Sequence, residues 1–194
     1  MAMHASPQSA PALQGQDLPV FQGISVAPGY PLDIINVRGR AEDAAFLTAM
    51  SDVLDVRPPA TPNTWAAVEG GQILWCGPDE WLLVVDQDGP AGRADALRTA
   101  LGNASAAVTS VGAGWALLEL TGERVREILA RGVPLDLHPS GFGPGQCVQT
   151  RLAHATIMLW QMDDTPTFRL MIRRSMATYL RDWLVAIQRR TEAA

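Results

Sequence analysis

Two cysteines, three histidines and a scatter of acids are what this chain has for building a metal site or a thiol nucleophile. Asp136, His138 and Cys147 come nearest to a ligand set, with Asp136 and His138 two residues apart and able to share one face of an extended strand. No second histidine or acid stands at a metal-ligand spacing, and Cys76 and Cys147 form no C-x-x-C, so neither a structural zinc site nor a disulfide framework is expected. The pair Asp136/His138 is also mirrored by Asp55/Arg57 in the first half of the chain, and recurrence of that kind points to structure. Cys147 followed by Thr150 and His154 resembles a thiol with a base. On a strand, however, seven residues place Cys147 and His154 on opposite faces and over 20 Å apart, at roughly 3.3 Å per residue. Asp163-Asp164 offers paired carboxylates, yet neighbours on a hairpin turn diverge instead of converging on a substrate. Gly141-Phe142-Gly143-Pro144-Gly145 lacks the G-x-G-x-x-G order, and a strand follows it where a phosphate-binding loop would open a helix. The residues therefore predict no catalytic, cofactor-binding or metal-binding constellation in this chain.

Composition narrows the function further. All fifteen basic residues are arginine, so a phosphate-loop lysine, a Schiff-base lysine and a catalytic lysine are impossible. The net charge of −5 argues against nucleic-acid binding. No apolar run reaches the ~18 residues of a membrane span, and residues 1–16 lack the arginine and apolar core of a secretory leader, which predicts a cytoplasmic protein. Charge is unevenly placed. Arg169, Arg173, Arg174, Arg181, Arg189 and Arg190 stand with two acids, Asp182 and Glu192, while residues 1–168 hold nine arginines and eighteen acids. An arginine-rich edge can serve as a solvated face, a salt-bridge surface for an acidic partner or an anion site. Of the six tryptophans, Trp160 precedes that edge and is the candidate apolar anchor; Trp160, Arg173 and Arg174 are the expected partner interface.

The elements that must carry these side chains repeat. Leu32–Val37 and Trp115–Leu120 read as strands ending at Arg38-Gly39 and Thr121-Gly122. Ala41–Met50 and Glu123–Ala130 follow as helices, and each leads to a Leu-Asp exit closed by proline. Strands at Thr64–Val68 and Cys147–Leu152 come next. Two hairpins follow, Gln72–Cys76 with Trp81–Val85 and Thr156–Gln161 with Thr167–Ile172, centred on turn residues. Each half closes on a helix: Ala91–Leu101, and a last one capped by Ser175 with Met176, Tyr179, Leu180, Trp183, Leu184 and Ile187 on one stripe. Val108–Val111 is expected as a strand matching Ile24–Val26. The result is an α+β fold, internally duplicated about a pseudo-two-fold axis, with halves at about 24–101 and 106–189 in one body spanning 20–190. Residues 1–19, rich in Ala, Pro, Gln and Ser, read as a flexible N-terminal tail.

Gly77-Pro78-Asp79-Glu80-Trp81, Pro134-Leu135-Asp136-Leu137-His138-Pro139, Gly145–Leu152, Arg173-Arg174-Ser175 and the Tyr179…Trp183-Leu184 helix together resemble the gamma subunit family of heterotetrameric sarcosine oxidase. The resemblance runs from about Leu32 to Ile187. It implies a fold related to the folate-binding module of glycine-cleavage aminomethyltransferases. It also implies membership of a complex with alpha, beta and delta subunits that demethylates sarcosine oxidatively to glycine. The family's FAD, FMN, NAD and tetrahydrofolate belong to the alpha and beta subunits and its zinc to delta, with gamma carrying no catalytic residue. Docking is expected chiefly on alpha. Two other readings remain open: the equivalent subunit of a related N-methyl amino acid dehydrogenase, and a stand-alone folate-binding module.

Overall fold

Tight turns fold this chain into hairpins, and the hairpins assemble into two five-stranded antiparallel sheets. The computed structural model describes residues 17–29, 31 and 33–192, together with Leu13 and Gly15. In chain order the strands are β1 (Ser25–Gly29), β2 (Asp33–Arg38), β3 (Trp65–Val68), β4 (Gly71–Gly77), β5 (Glu80–Val85), β6 (Ala107–Ser110), β7 (Trp115–Thr121), β8 (Cys147–Leu152), β9 (Ala155–Asp163) and β10 (Thr167–Arg173). The helices are α1 (Ala44–Leu54), α2 (Arg93–Leu101), α3 (Val125–Ala130) and α4 (Ala177–Glu192).

One sheet runs β3-β4-β5-β2-β6 and the other β8-β9-β10-β7-β1. Position for position the two orders correspond, which is consistent with the expected duplication. The last place in each sheet is taken by a strand from the other half. β1 pairs with β7, Val26 opposite Leu120, and β6 pairs with β2, Val108 opposite Val37. The halves are thus joined by an exchange of edge strands.

Alternation along the strands sets the layers. Ile35, Val37, Ile73, Trp81 and Leu83 project from the outer face of the first sheet and meet Phe46, Met50 and Leu54 of α1 and Leu97 and Leu101 of α2. Leu118, Leu120, Ile157, Leu159, Phe168 and Leu170 do the same for the second sheet against α3 and α4. Between the sheets lie Ile34, Leu74, Leu82 and Val84 from one side and Leu117, Cys147, Met158, Trp160 and Met171 from the other. The order of layers is helix, sheet, sheet, helix. Each fully buried large side chain contributes roughly 1.5–3 kcal/mol before entropy is counted.

Several boundaries differ from the sequence reading for identifiable reasons. Helix α1 starts at Ala44, not Ala41, because the Asp43 carboxylate accepts hydrogen bonds from the Ala45 and Phe46 N–H groups, at 2.9 and 3.3 Å. Ser175 does not cap α4; it sits within a 3-10 turn, Arg174–Met176, that precedes the helix. The Leu-Asp exits diverge. Asp55 ends α1 in the left-handed region at φ 53°, whereas the Asp136 carboxylate accepts from the His138 N–H in a loop. Within the expected tail, Leu13 is buried and Leu18 packs on the second-half core beside Phe21 and Ile24. The rest of the tail to residue 16, Gly15 apart, lies outside the described residues. At the foot of that segment, Gly122 at φ 137° lets the backbone approach: a Cβ there would stand 2.1 Å from the Gly23 carbonyl oxygen.

Candidate functional site

Each sequence candidate for chemistry falls into a structural role. Cys147 lies fully buried between the sheets with its thiol 3.2 Å from the Thr64 carbonyl oxygen, and burial pushes both its thiol and that of Cys76 up to about 12. Both are therefore held as neutral thiols at neutral pH. His154 is on the surface against Tyr179, whose hydroxyl accepts from the His154 N–H at 3.2 Å. His138 bonds through Nδ1 to Ser140. Burial works against the Asp163 carboxylate, but hydrogen bonds from the Thr165 and Thr167 N–H groups outweigh it and hold its pKa below the usual range. It orders the β9–β10 turn. Gly141–Gly145 runs into β8 and not into a helix, so it makes no cradle for a dinucleotide phosphate. Among the described residues no group of His, Cys, Asp and Glu converges to hold a metal. In the inter-sheet layer the buried Trp160 Nε1–H meets no hydrogen-bond partner.

The predicted interface residues separate. Trp160 is 0% exposed, in the middle of the inter-sheet layer, and cannot reach a partner. Both faces of β9 are covered, one by the other sheet and one by helices, so the apolar run Ile157–Trp160 is core throughout. Arg173 is exposed at the end of β10, its guanidinium 4.2 Å above the Trp115 ring. Arg174 begins the 3-10 turn that follows and is half-buried. The tryptophan at this edge is therefore Trp115. Arg169, expected as part of the same basic surface, turns instead into the molecule. It bonds Asp86 at 2.8 Å, Glu119 at 2.9 Å and Gln72 at 2.7 Å, tying the two sheets together.

The solved heterotetrameric sarcosine oxidase from Corynebacterium sp. U-96, in complex with pyrrole 2-carboxylate, contains a chain of the same shape. The TM-score is 0.82 at 26% identity, over 94% of this chain and 92% of that one. Residues 38–189 match the sarcosine oxidase, gamma subunit family. The chain belongs to that family.

Its curated relatives include the sarcosine oxidase gamma subunits of Corynebacterium sp. (strain U-96), 33% identical over 128 residues, and of an Arthrobacter species, 34% identical over 125. The matches cover 66% and 64% of this chain, and the chain spans only 61% and 59% of those relatives' length. The glycine cleavage system aminomethyltransferase T from Bartonella henselae shares the fold, with a TM-score of 0.63 at 13% identity over 84% of this chain and 45% of that one. The α+β class and the kinship with the aminomethyltransferase fold, both expected from sequence, hold.

In this gamma-family chain the sequence reading missed two positioning arginines. Arg126 of α3 donates to the Leu137 and Phe142 carbonyls and to Gln161 Oε1 at 2.7 Å, and lies 5.1 Å above the Phe168 ring. It clamps the long α3–β8 connection, and burial lowers its pKa. Arg93, only 8% exposed, donates to the Val53 and Glu69 carbonyls and joins α2 to the end of α1. Both were legible only as helix arginines, because their acceptors, mostly backbone carbonyls, lie 11 to 40 residues away.

Proposed function

We propose that this chain is the non-catalytic gamma subunit of a heterotetrameric sarcosine oxidase, the complex that demethylates sarcosine oxidatively to glycine. Its work is assembly: holding the large subunits in register. The observation that carries this reading is the correspondence, over 94% of its length, with a chain of the solved oxidase. The buried, neutral thiols and the turn-bound Asp163 fit a subunit that acts by contact and not by chemistry.

The partners are alpha, beta and delta, chiefly alpha; FAD, FMN, NAD and tetrahydrofolate reside on alpha and beta and zinc on delta. The complex is cytoplasmic, and among the described residues no helix is long and apolar enough to cross a membrane. The contact with alpha runs through the Arg173–Arg174 edge and the N-terminal residues. Truncating a buried charge pair costs roughly 2–5 kcal/mol, whereas a rim pair costs little.

The test is co-expression of a tagged chain with the other three subunits. Alpha, beta and delta co-purify as a yellow, active complex, and Arg173→Ala with Arg174→Ala or deletion of residues 1–19 lowers the yield. A tagged wild-type chain that comes down alone overturns the proposal.

A further inference from the structure

Strand register places a second arginine beside Arg173. Arg173 is opposite Trp115 on β7. Carried one step past Ile172–Ile157, the β10–β9 register sets Arg173 opposite Thr156, and Thr156 is opposite Arg151 on β8. Trp115, Arg173, Thr156 and Arg151 thus form one row across four strands. By alternation the row lies on the same face as Leu117, Met171 and Met158, which the first sheet covers. Those three are at most 5% exposed, yet in the adjacent row Arg173, Thr156 and Arg151 are exposed and Trp115 half-buried. Gln149, whose Nε2 donates to the Cys76 carbonyl at 2.9 Å, marks where the first sheet stops covering the second. Beyond it the second sheet projects as a ledge.

The charge on that ledge is uncompensated. Arg38, Arg93, Arg98, Arg124, Arg169 and Arg181 each have an acid within 4 Å, but among the described residues neither Arg151 nor Arg173 does. Arg40, Arg57, Arg131, Arg189 and Arg190 also lack such a partner, but they lie in loops or at helix ends. Two guanidiniums held two strands apart, roughly 10 Å at strand spacing, repel each other in the free chain. Stacking on Trp115 fixes the plane of the Arg173 guanidinium and leaves its N–H edge for a planar, bidentate acceptor.

We propose that the row Trp115–Arg173–Thr156–Arg151 is a docking ledge for a carboxylate-bearing segment of the large partner subunit. This rests on the assembly role proposed above. The half-buried Trp115 gives such a segment an apolar contact, and the two arginines give it charge and register. Arg151 is therefore as much an interface residue as Arg173.

The experiment uses the tagged chain co-expressed with alpha, beta and delta, with affinity measured across a salt series. Arg151→Glu and Arg173→Glu each weaken assembly at least tenfold while leaving the thermal midpoint of the free chain within a few degrees. Rising salt weakens the wild-type complex and has a smaller effect on the variants. Arg131→Glu, an exposed arginine off the ledge, assembles like wild type. If Arg151→Glu also assembles like wild type, or Arg131→Glu weakens assembly equally, the ledge is overturned while the assembly role stands. If the wild-type chain captures no partner at any salt, the assembly role itself falls and the ledge with it.

Discussion

The two sheets share one strand order, but the layers that cover them differ. The first sheet is roofed by two helices of similar length, α1 and α2, tied together where Arg93 donates to the carbonyl of Val53. The second has a long α4 of 16 residues but only a six-residue α3. The remaining area is covered by the connection carrying Val133, Leu137 and Phe142 and by the N-terminal residues Leu13, Phe21 and Ile24. Backbone ladders fix the sheet order in both halves, since every strand must find its hydrogen-bonding partner. The outer layer only has to exclude water, and helix, loop and terminal segment serve equally.

The sharpest way to break the symmetry is to cut the chain at the wrong place. A fragment of residues 24–101 keeps β1, whose partner β7 is missing, and lacks β6. It should be unfolded by circular dichroism. A fragment of residues 33–110 holds the whole first sheet with both helices. It should unfold cooperatively, while its bare inner face binds a hydrophobic dye. Equal behaviour of the two fragments would show that the strand exchange is unimportant.

Next in size is the layer shared by both halves. Trp160→Ala should cost about 3–5 kcal/mol in denaturant unfolding, as a cavity in a closed core. Trp160→Phe should cost much less, because the indole N–H has no acceptor to lose. A penalty for Phe approaching that for Ala would mean that the indole nitrogen is satisfied in solution.

A smaller change should separate the two roofs. Arg126→Ala strands the Leu137 and Phe142 carbonyls and should cost about 2–3 kcal/mol. Amide exchange should accelerate across residues 131–146 and stay unchanged in α1 and α2. Uniform acceleration in both halves would contradict the local clamp.

The smallest effect concerns the β9–β10 turn. The folded Asp163 carboxyl has a lowered pKa, so its contribution is present above the unfolded value of about 4 and is lost as pH falls through the folded one. Asp163→Ala should cost about 1 kcal/mol at neutral pH, with the difference from wild type shrinking in acid. A difference that grows as pH falls would reverse the sign and refute the assignment.

Local order was readable where local chemistry decides it. Gly77-Pro78-Asp79-Glu80 announces a hairpin, and β8 runs over Cys147–Leu152 as its alternation suggests. What pairs with what was not readable. β1 and β6 look like the first strand of their own halves, and only long-range ladders send each to the other sheet. The surface suffered in the same way. Arg173 stood out within a run of arginines, but Arg151 lies 22 positions earlier and becomes its neighbour only through two strand registers. Trp160 was misassigned because alternation shows which residues share a face and not whether a second sheet covers it.

The exchanged edge strand also sets a timetable for synthesis. By the time residue 110 has left the ribosome, every strand of the first sheet exists. β1 must wait for β7, and Leu13, Phe21 and Ile24 wait for the core that the second half builds. Leu13, Phe21 and Ile24 are thus made early and sheltered late. For most of translation these three side chains have no core to enter, and that is where a chaperone would be expected to hold the chain.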